Sequence, residues 1–188
     1  MGRGSGVIPP MDLAYEGNRA TEIARARVET LASEYQVRLA RYLRRMVGNA
    51  EQALDITQDV FLAAFRMLCS DPERELTAGW LYRAATNGAI SVLRRGKILR
   101  MLPLDRDVDR GTWRIDEQSA ASVDLQAALR KLPPEQSAAV LLTSYAGYSS
   151  HEAAQMLGTT AEVVRQRVCR GMRVLRKIMT EGSEYASH

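Results

Sequence analysis

The chain has 188 residues, of which 46% are hydrophobic and only 6% aromatic, with a net charge of +4 and a pI near 9.3. Two cysteines far apart, Cys69 and Cys169, and two histidines, His151 and His188, argue against a Cys/His zinc site and point to a reduced, cytoplasmic compartment. No stretch approaches membrane-spanning length, residues 1–10 lack an apolar signal core, and the mild basic excess suits a nucleic-acid partner.

Residues 1–20, rich in Gly and Pro at their start, are expected to be a flexible tail. A first helical domain is expected over 21–102. Leu31, Tyr35, Leu39, Tyr42 and Met46 recur at helical spacing and mark the inward face of its first helix, which Gly48-Asn49 ends. A second helix over 51–68 turns Ala53, Ile56, Val60, Phe61, Ala64 and Leu68 inward. Its opposite side carries Asp55, Gln58, Asp59, Leu62 and Arg66 at spacings of three and four. That side reads either as a solvated surface or as a polar, partly acidic docking face. Ser70-Asp71-Pro72 stops the helix.

The third helix, expected over 76–95, changes character. No acid appears from Leu76 to Leu104, while Trp80, Tyr82, Arg83, Asn87, Ser91, Arg94, Arg95, Lys97 and Arg100 follow one another. Aromatic rings and an amide beside basic side chains suit single-stranded or melted DNA, whose bases can be stacked or held. Trp80 fits a core position equally well.

Residues 103–122 carry Asp105, Asp107, Asp109, Asp116 and Glu117 without a helical apolar period, which predicts an acidic linker. A second domain follows over 123–182. One helix is expected over 123–132, and Pro133-Pro134 opens another over 135–146. Ser149 and Glu152 have capping-box spacing, Gly158 supplies a left-handed stop, and Thr160 is placed to cap the next helix. Ala154 is small where two helices must meet, and Val164 turns inward. This is the logic of a helix-turn-helix.

On the last helix Val164, Val168, Gly171, Met172, Leu175, Ile178 and Met179 fall on one side. Arg165, Gln166, Cys169, Arg170, Arg173, Arg176 and Lys177 fall on the other, with Arg167 at the border and no acid between Val163 and Thr180. An all-basic outer face fits groove docking with phosphate neutralisation. Fraying is expected from Glu181, with 183–188 as a tail. The fold class is all-α, with two small helical domains and no convincing strand.

The segments Asp55-Ile56-Thr57-Gln58-Asp59-Val60-Phe61 and Trp80-Leu81-Tyr82-Arg83-Ala84-Ala85-Thr86-Asn87 resemble the core-binding and promoter-melting region of the extracytoplasmic-function (ECF) sigma factors of the sigma-70 family. Leu132-Pro133-Pro134-Glu135-Gln136, Gly147-Tyr148-Ser149 and Val164-Arg165-Gln166-Arg167 resemble their C-terminal region. The resemblance covers about residues 21–180.

It implies a transcription initiation factor without catalytic chemistry or cofactor. Its partners would be core RNA polymerase (β′ and β subunits), promoter DNA and an anti-sigma factor, with no membrane insertion. Asp55, Gln58, Asp59, Leu62 and Arg66 would bind polymerase. The Ser70–Thr77 loop with Trp80, Arg83, Asn87, Ser91, Arg94 and Arg95 would meet the minus-10 element. Arg165, Gln166, Arg167, Cys169, Arg170 and Arg173 would meet the minus-35 element.

Three positions depart from the family pattern. Ser91 stands where Asp is common, Met172 reads as core near a usual Arg or His, and His151 replaces an acid. These departures bear on promoter sequence rather than class. The alternative is a stand-alone helix-turn-helix regulator with a helical sensor or dimerisation domain, which would need no polymerase-docking face. An enzyme is disfavoured, since the sequence has no phosphate loop, metal cluster or nucleophile–base pair.

Overall fold

A computed structural model describes the backbone of residues 11–101 and 120–185, and the side chains of 19–96 and 125–180. Most of the linker expected over 103–122 lies outside the described residues, as do 1–10 and 186–188. Among the described residues seven α-helices run in chain order: α1 Met11–Val47, α2 Ala50–Ser70, α3 Ala78–Met101, α4 Ala120–Leu129, α5 Pro134–Val140, α6 Ser150–Leu157 and α7 Ala161–Tyr185. A single π-helical turn, Leu141–Tyr145, continues α5. No strand occurs among the described residues.

Local chemistry explains most boundaries. Gly48, at φ +76°, takes the left-handed conformation that ends α1, and its N–H donates to the Arg44 carbonyl at 2.9 Å. Asn49 caps α2, its side chain accepting from the Gln52 N–H at 2.8 Å. Thr77 caps α3, its hydroxyl accepting from the Trp80 N–H at 3.4 Å.

Four elements differ from expectation, among them α4, which begins at Ala120 inside the expected linker and ends at Leu129 rather than 132. The helix of α1 reaches back to Met11, inside the expected tail, and α3 runs on to Met101. The helix expected over 135–146 turns π-helical after Val140. There the Thr143 hydroxyl donates to the Ala139 carbonyl at 2.9 Å. The Ala146 N–H then reaches five residues back to the Leu141 carbonyl, also at 2.9 Å.

The first half (α1–α3) packs around Leu39, Tyr42, Leu43, Met46, Ile56 and Leu81, all buried. The second (α4–α7) packs around Leu129, Leu142, Ala154, Met156, Val164 and Leu175. These two sets form one continuous apolar cluster, while Ala24, Ala64, Leu68 and Leu76 form a smaller one.

The joint between the halves is aromatic and polar. Tyr82 meets Tyr42 and Tyr148 edge to face, with ring centroids 5.3 Å apart in each pair. Thr86 donates to the Tyr82 carbonyl at 2.7 Å, so the Tyr42 hydroxyl donates to the Thr86 oxygen, also at 2.7 Å. Burial pushes the Tyr42 hydroxyl well above its ordinary pKa, and burial with Tyr148 alongside does the same to Tyr82. Gln126 of α4 donates to the Arg44 carbonyl of α1 at 3.0 Å, and the Arg45 guanidinium lies 4.2 Å from the Tyr145 ring centroid.

Candidate nucleic-acid interface

The helix-turn-helix is built as its residues dictate. The Ser149 hydroxyl accepts from the Glu152 N–H at 3.2 Å, and the Glu152 carboxylate accepts in return from the Ser149 N–H at 2.8 Å. That carboxylate also accepts from the Ser149 hydroxyl at 2.7 Å. The hydroxyl first, and the backbone N–H second, hold the Glu152 carboxyl below its ordinary pKa. Gly158 closes α6 at φ +61°, and the Thr160 hydroxyl accepts from the Val163 N–H at 3.3 Å to start α7. Buried Ala153, Ala154 and Met156 meet Val164, which has no exposed surface. Gly171 lets α7 approach α5 closely, since a Cβ there would lie 2.8 Å from Val140 Cγ2.

This packing fixes the outer face of α7. Arg165, Gln166, Cys169, Arg170, Arg173, Arg176 and Lys177 are exposed, with Arg167 half-buried. Exposure follows angular distance from the Val164 line at about 100° per residue. Gly171 and Leu175, about 20° away, are buried, and Val168 and Ile178, about 40° away, are half-buried. Met172 and Met179 correct the expectation that they point inward: about 80° and 60° off the line, they are 39% and 43% exposed.

Glu162, just before the acid-free run, orients the first two side chains of that face. Its carboxylate accepts from the Arg165 guanidinium at 2.7 Å and from the Gln166 amide at 3.3 Å. Arg165, followed by Gln166, holds the Glu162 carboxyl below its ordinary pKa.

On α2, Asp55, Gln58, Asp59, Leu62 and Arg66 are all exposed. Neither carboxylate has an ion-pair partner among the described residues. Leu62 is 45% exposed and Leu54, not singled out by the sequence, 50%. Beside this face α1 and α2 enclose a groove of about 390 Å³ lined by Val28, Ala32, Gln58, Phe61, Leu62 and Phe65. Phe61 is therefore a half-buried groove wall rather than a fully buried core residue.

On α3, Arg83, Asn87, Ser91, Arg94 and Arg95 are exposed, while Trp80 is half-buried and packs against both apolar clusters. The Ser91 hydroxyl donates to the Asn87 carbonyl at 2.9 Å, and Arg95 donates to the Ser91 carbonyl at 3.3 Å. Two members of the row are already engaged. Arg94 pairs with Glu135 of α5 at 2.9 Å. The Arg83 guanidinium lies against the turn after α6, where a Cβ on Gly158 would be 2.6 Å from its Nη2. Lys97 and Arg100 lie outside the residues with described side chains.

The loop between α2 and α3 is held by a residue that sequence reasoning missed. Arg27 of α1 donates to the Pro72 carbonyl and, at 2.9 Å, to the Arg74 carbonyl. Its only sequence signal is an arginine close to an apolar helix face. No described helix is long and apolar enough to cross a membrane.

Residues 31–98 match the family model for sigma-70 region 2, and residues 122–175 match that for sigma-70, region 4. The chain is 35% identical over 161 residues to the ECF RNA polymerase sigma factor SigE of Mycolicibacterium smegmatis, a match covering 82% of this chain and 62% of that relative. The chain thus spans about three fifths of that protein's length. It is 34% identical over 142 residues to the ECF RNA polymerase sigma factor SigM of Mycobacterium tuberculosis, covering 76% of this chain and 70% of SigM.

Two solved structures share the fold. CnrH in complex with the cytosolic domain of CnrY superposes with a TM-score of 0.61 at 24% identity, over 88% of this chain and 95% of that one. The sigma factor RpoE in complex with the anti-sigma factor NepR from Bartonella quintana superposes with a TM-score of 0.62 at 20% identity, over 81% and 96%.

Proposed function

The chain belongs to the ECF sigma factors of the sigma-70 family, and from that premise we propose that it is a cytoplasmic alternative sigma factor that brings core RNA polymerase to promoters and helps open them. One observation carries this reading. A capped helix-turn-helix with a predominantly basic outer face shares a chain with a second helix whose exposed side is acidic and leucine-bearing. The basic face suits DNA. The α2 face, with Asp55 and Asp59 unpaired among the described residues beside exposed Leu54 and Leu62 and an apolar groove, suits a protein partner.

In this reading Asp55, Gln58, Asp59, Leu62 and Arg66 dock on polymerase. Arg165, Gln166, Arg167, Cys169, Arg170 and Arg173 meet minus-35 DNA, where each phosphate neutralised steepens the salt dependence by about 0.9 in log–log slope. The loop 70–77 and Asn87 hold non-template bases of the minus-10 element. Ser91, Arg83, Arg94 and Arg95 serve the adjacent backbone, and half-buried Trp80 supports the helix. Residues 103–122 join the two halves. The chain performs no bond chemistry, since polymerase carries out the phosphoryl transfer, and an anti-sigma factor that covers both halves would hold it inactive.

The decisive experiment is the double reversal Asp55→Arg with Asp59→Arg. Both positions are exposed and without an ion pair among the described residues, so folding stability should change by no more than about 0.5 kcal/mol. Co-purification with core polymerase and run-off transcription should be lost. A folded double variant that still binds core polymerase and transcribes would refute the docking role of this face, whereas a wild-type chain that binds no core polymerase would favour a stand-alone helix-turn-helix regulator.

A further inference from the structure

We propose that Glu162 determines specificity at the minus-35 element: it holds Arg165 so that the free edge of the guanidinium meets a guanine, and it turns the start of α7 away from phosphate. This rests on the reading of α7 as the minus-35 reader of a sigma factor. Glu162 is the only acid from Ala161 to Thr180. Its position is central to the outer face, not at the rim. It is exposed and lies about 160° around the helix from buried Val164, and only about 20° from Cys169 and Arg173. It also stands in the first turn of α7, and recognition helices meet base edges with their N-terminal residues.

The carboxylate takes one edge of the guanidinium and leaves another. Arg165 Nε and Nη2 donate to Glu162 Oε2 at 3.2 and 2.7 Å. A guanidinium is a rigid planar fork of five N–H groups, so its Nη1–Nη2 edge stays open at the tip of the side chain. That edge carries two parallel donors, which match guanine O6 and N7. Guanine is the one base that offers two acceptors and no donor on its major-groove edge. The other carboxylate oxygen, Oε1, accepts from the Gln166 amide at 3.3 Å. Both oxygens are thus anchored, and the carboxylate is itself held in place.

The pair is 59% and 61% exposed at its two ends, so it contributes little to folding. In a groove that excludes water the same contact strengthens. Its second effect is a penalty on arbitrary sequence. A helix N-terminus attracts anions, and Glu162 already places a carboxylate there. A phosphate that approaches this turn meets like charge, and Arg165 can reach for a phosphate only by uncovering that charge. Pairing with guanine keeps every bond. A first-turn acid that merely stabilised α7 would behave differently, because its removal would weaken binding to all sequences alike.

The test uses the full chain and the variants Glu162→Gln and Arg165→Ala. Glu51→Gln, the same charge change at an exposed position in the first turn of α2, is the control for lost negative charge. Each protein, reconstituted with core RNA polymerase, selects from a library of duplexes randomised over the minus-35 region. The chain alone is titrated with a mixed-sequence duplex by fluorescence anisotropy over a salt series, and far-UV circular dichroism checks folding.

Wild type and Glu51→Gln should select a guanine that Arg165→Ala no longer selects. Replacing that guanine with 7-deazaguanine, which lacks the N7 acceptor, should weaken wild-type binding about tenfold. Glu162→Gln should lose most of this preference, bind the mixed-sequence duplex more tightly and show a log–log salt slope steeper by about 0.9, as Arg165 turns to a phosphate. A wild type that selects no such guanine would overturn the proposal. So would a Glu162→Gln variant that keeps the guanine preference, or one that binds all sequences more weakly by the same factor. A wild-type chain that does not associate with core polymerase would sink the sigma-factor reading instead. The selection is then run on the chain alone, where the same guanine outcomes decide the role of Glu162.

Discussion

Gly171 offers a quantitative check on how the recognition helix is seated. A Cβ at this position would stand 2.8 Å from Val140 Cγ2, 3.5 Å from Leu132 Cδ1 and 3.8 Å from Gln136 Cβ. Two carbons settle about 3.5–4.0 Å apart, so Gly171→Ala requires Val140 or the helix to give way by about 1 Å. Val140 is 5% exposed and Leu132 6%, inside a close-packed interior that yields poorly. Overpacking of this kind costs about 1–3 kcal/mol. Alanine also favours the helix over glycine by about 0.8–1.0 kcal/mol, with the opposite sign.

The steric cost should win by about 1 kcal/mol, which lowers Tm by about 2–4 °C in a chain of this size. Gly79→Ala in α3 is the matched control, since its Cβ would meet only Thr77 Oγ1 at 3.5 Å, an ordinary contact. That change should be neutral or stabilising by up to about 1 kcal/mol. Thermal unfolding by circular dichroism measures both. If Gly171→Ala stabilises as much as Gly79→Ala, α7 does not approach α5 as described, and the orientation of the basic face loses its structural support.

Two further outcomes follow from the acids in the first turns of α6 and α7. Arg165→Ala should weaken promoter binding more than Arg170→Ala, because it also removes the guanidinium 2.7 Å from Glu162 and sets an uncompensated negative charge, held only by the Gln166 amide, against DNA. Adding Glu162→Ala should recover part of the loss in a binding titration, and no recovery would mean that the pair does not act at the DNA surface. Glu152 behaves differently with pH. Its folded pKa is depressed, so its stabilisation is complete above the unfolded carboxylate value, about 4.3, and is lost as pH falls through the folded value. Urea unfolding should therefore show wild type and Glu152→Gln most different near neutral pH and converging in acid. A gap that stays constant with pH would show that the cap does not depend on the carboxylate charge.

The sequence by itself determined whatever interactions three or four residues apart can encode. The Ser149–Glu152 box, the Gly158 stop, the Thr160 cap, the polar side of α2 and the basic side of α7 all stand where their spacing put them. Each is local chemistry repeating at the helical period, which a short window contains in full. Even the fate of Met172 and Met179 was nearly legible, since the same period carries them to the rim of the inward face.

Only the tertiary structure decided which members of those faces are engaged. Arg94 is paired across 41 positions with Glu135, Arg83 rests on the turn at Gly158, and Arg27 reaches 45 positions to hold the loop before α3. A run such as Trp80 to Arg95 reads as uniformly basic and available, because composition records charge but not what packs above it. Such partners are chosen when the chain closes long loops and brings half-buried surfaces together, and no periodicity in the sequence specifies that choice.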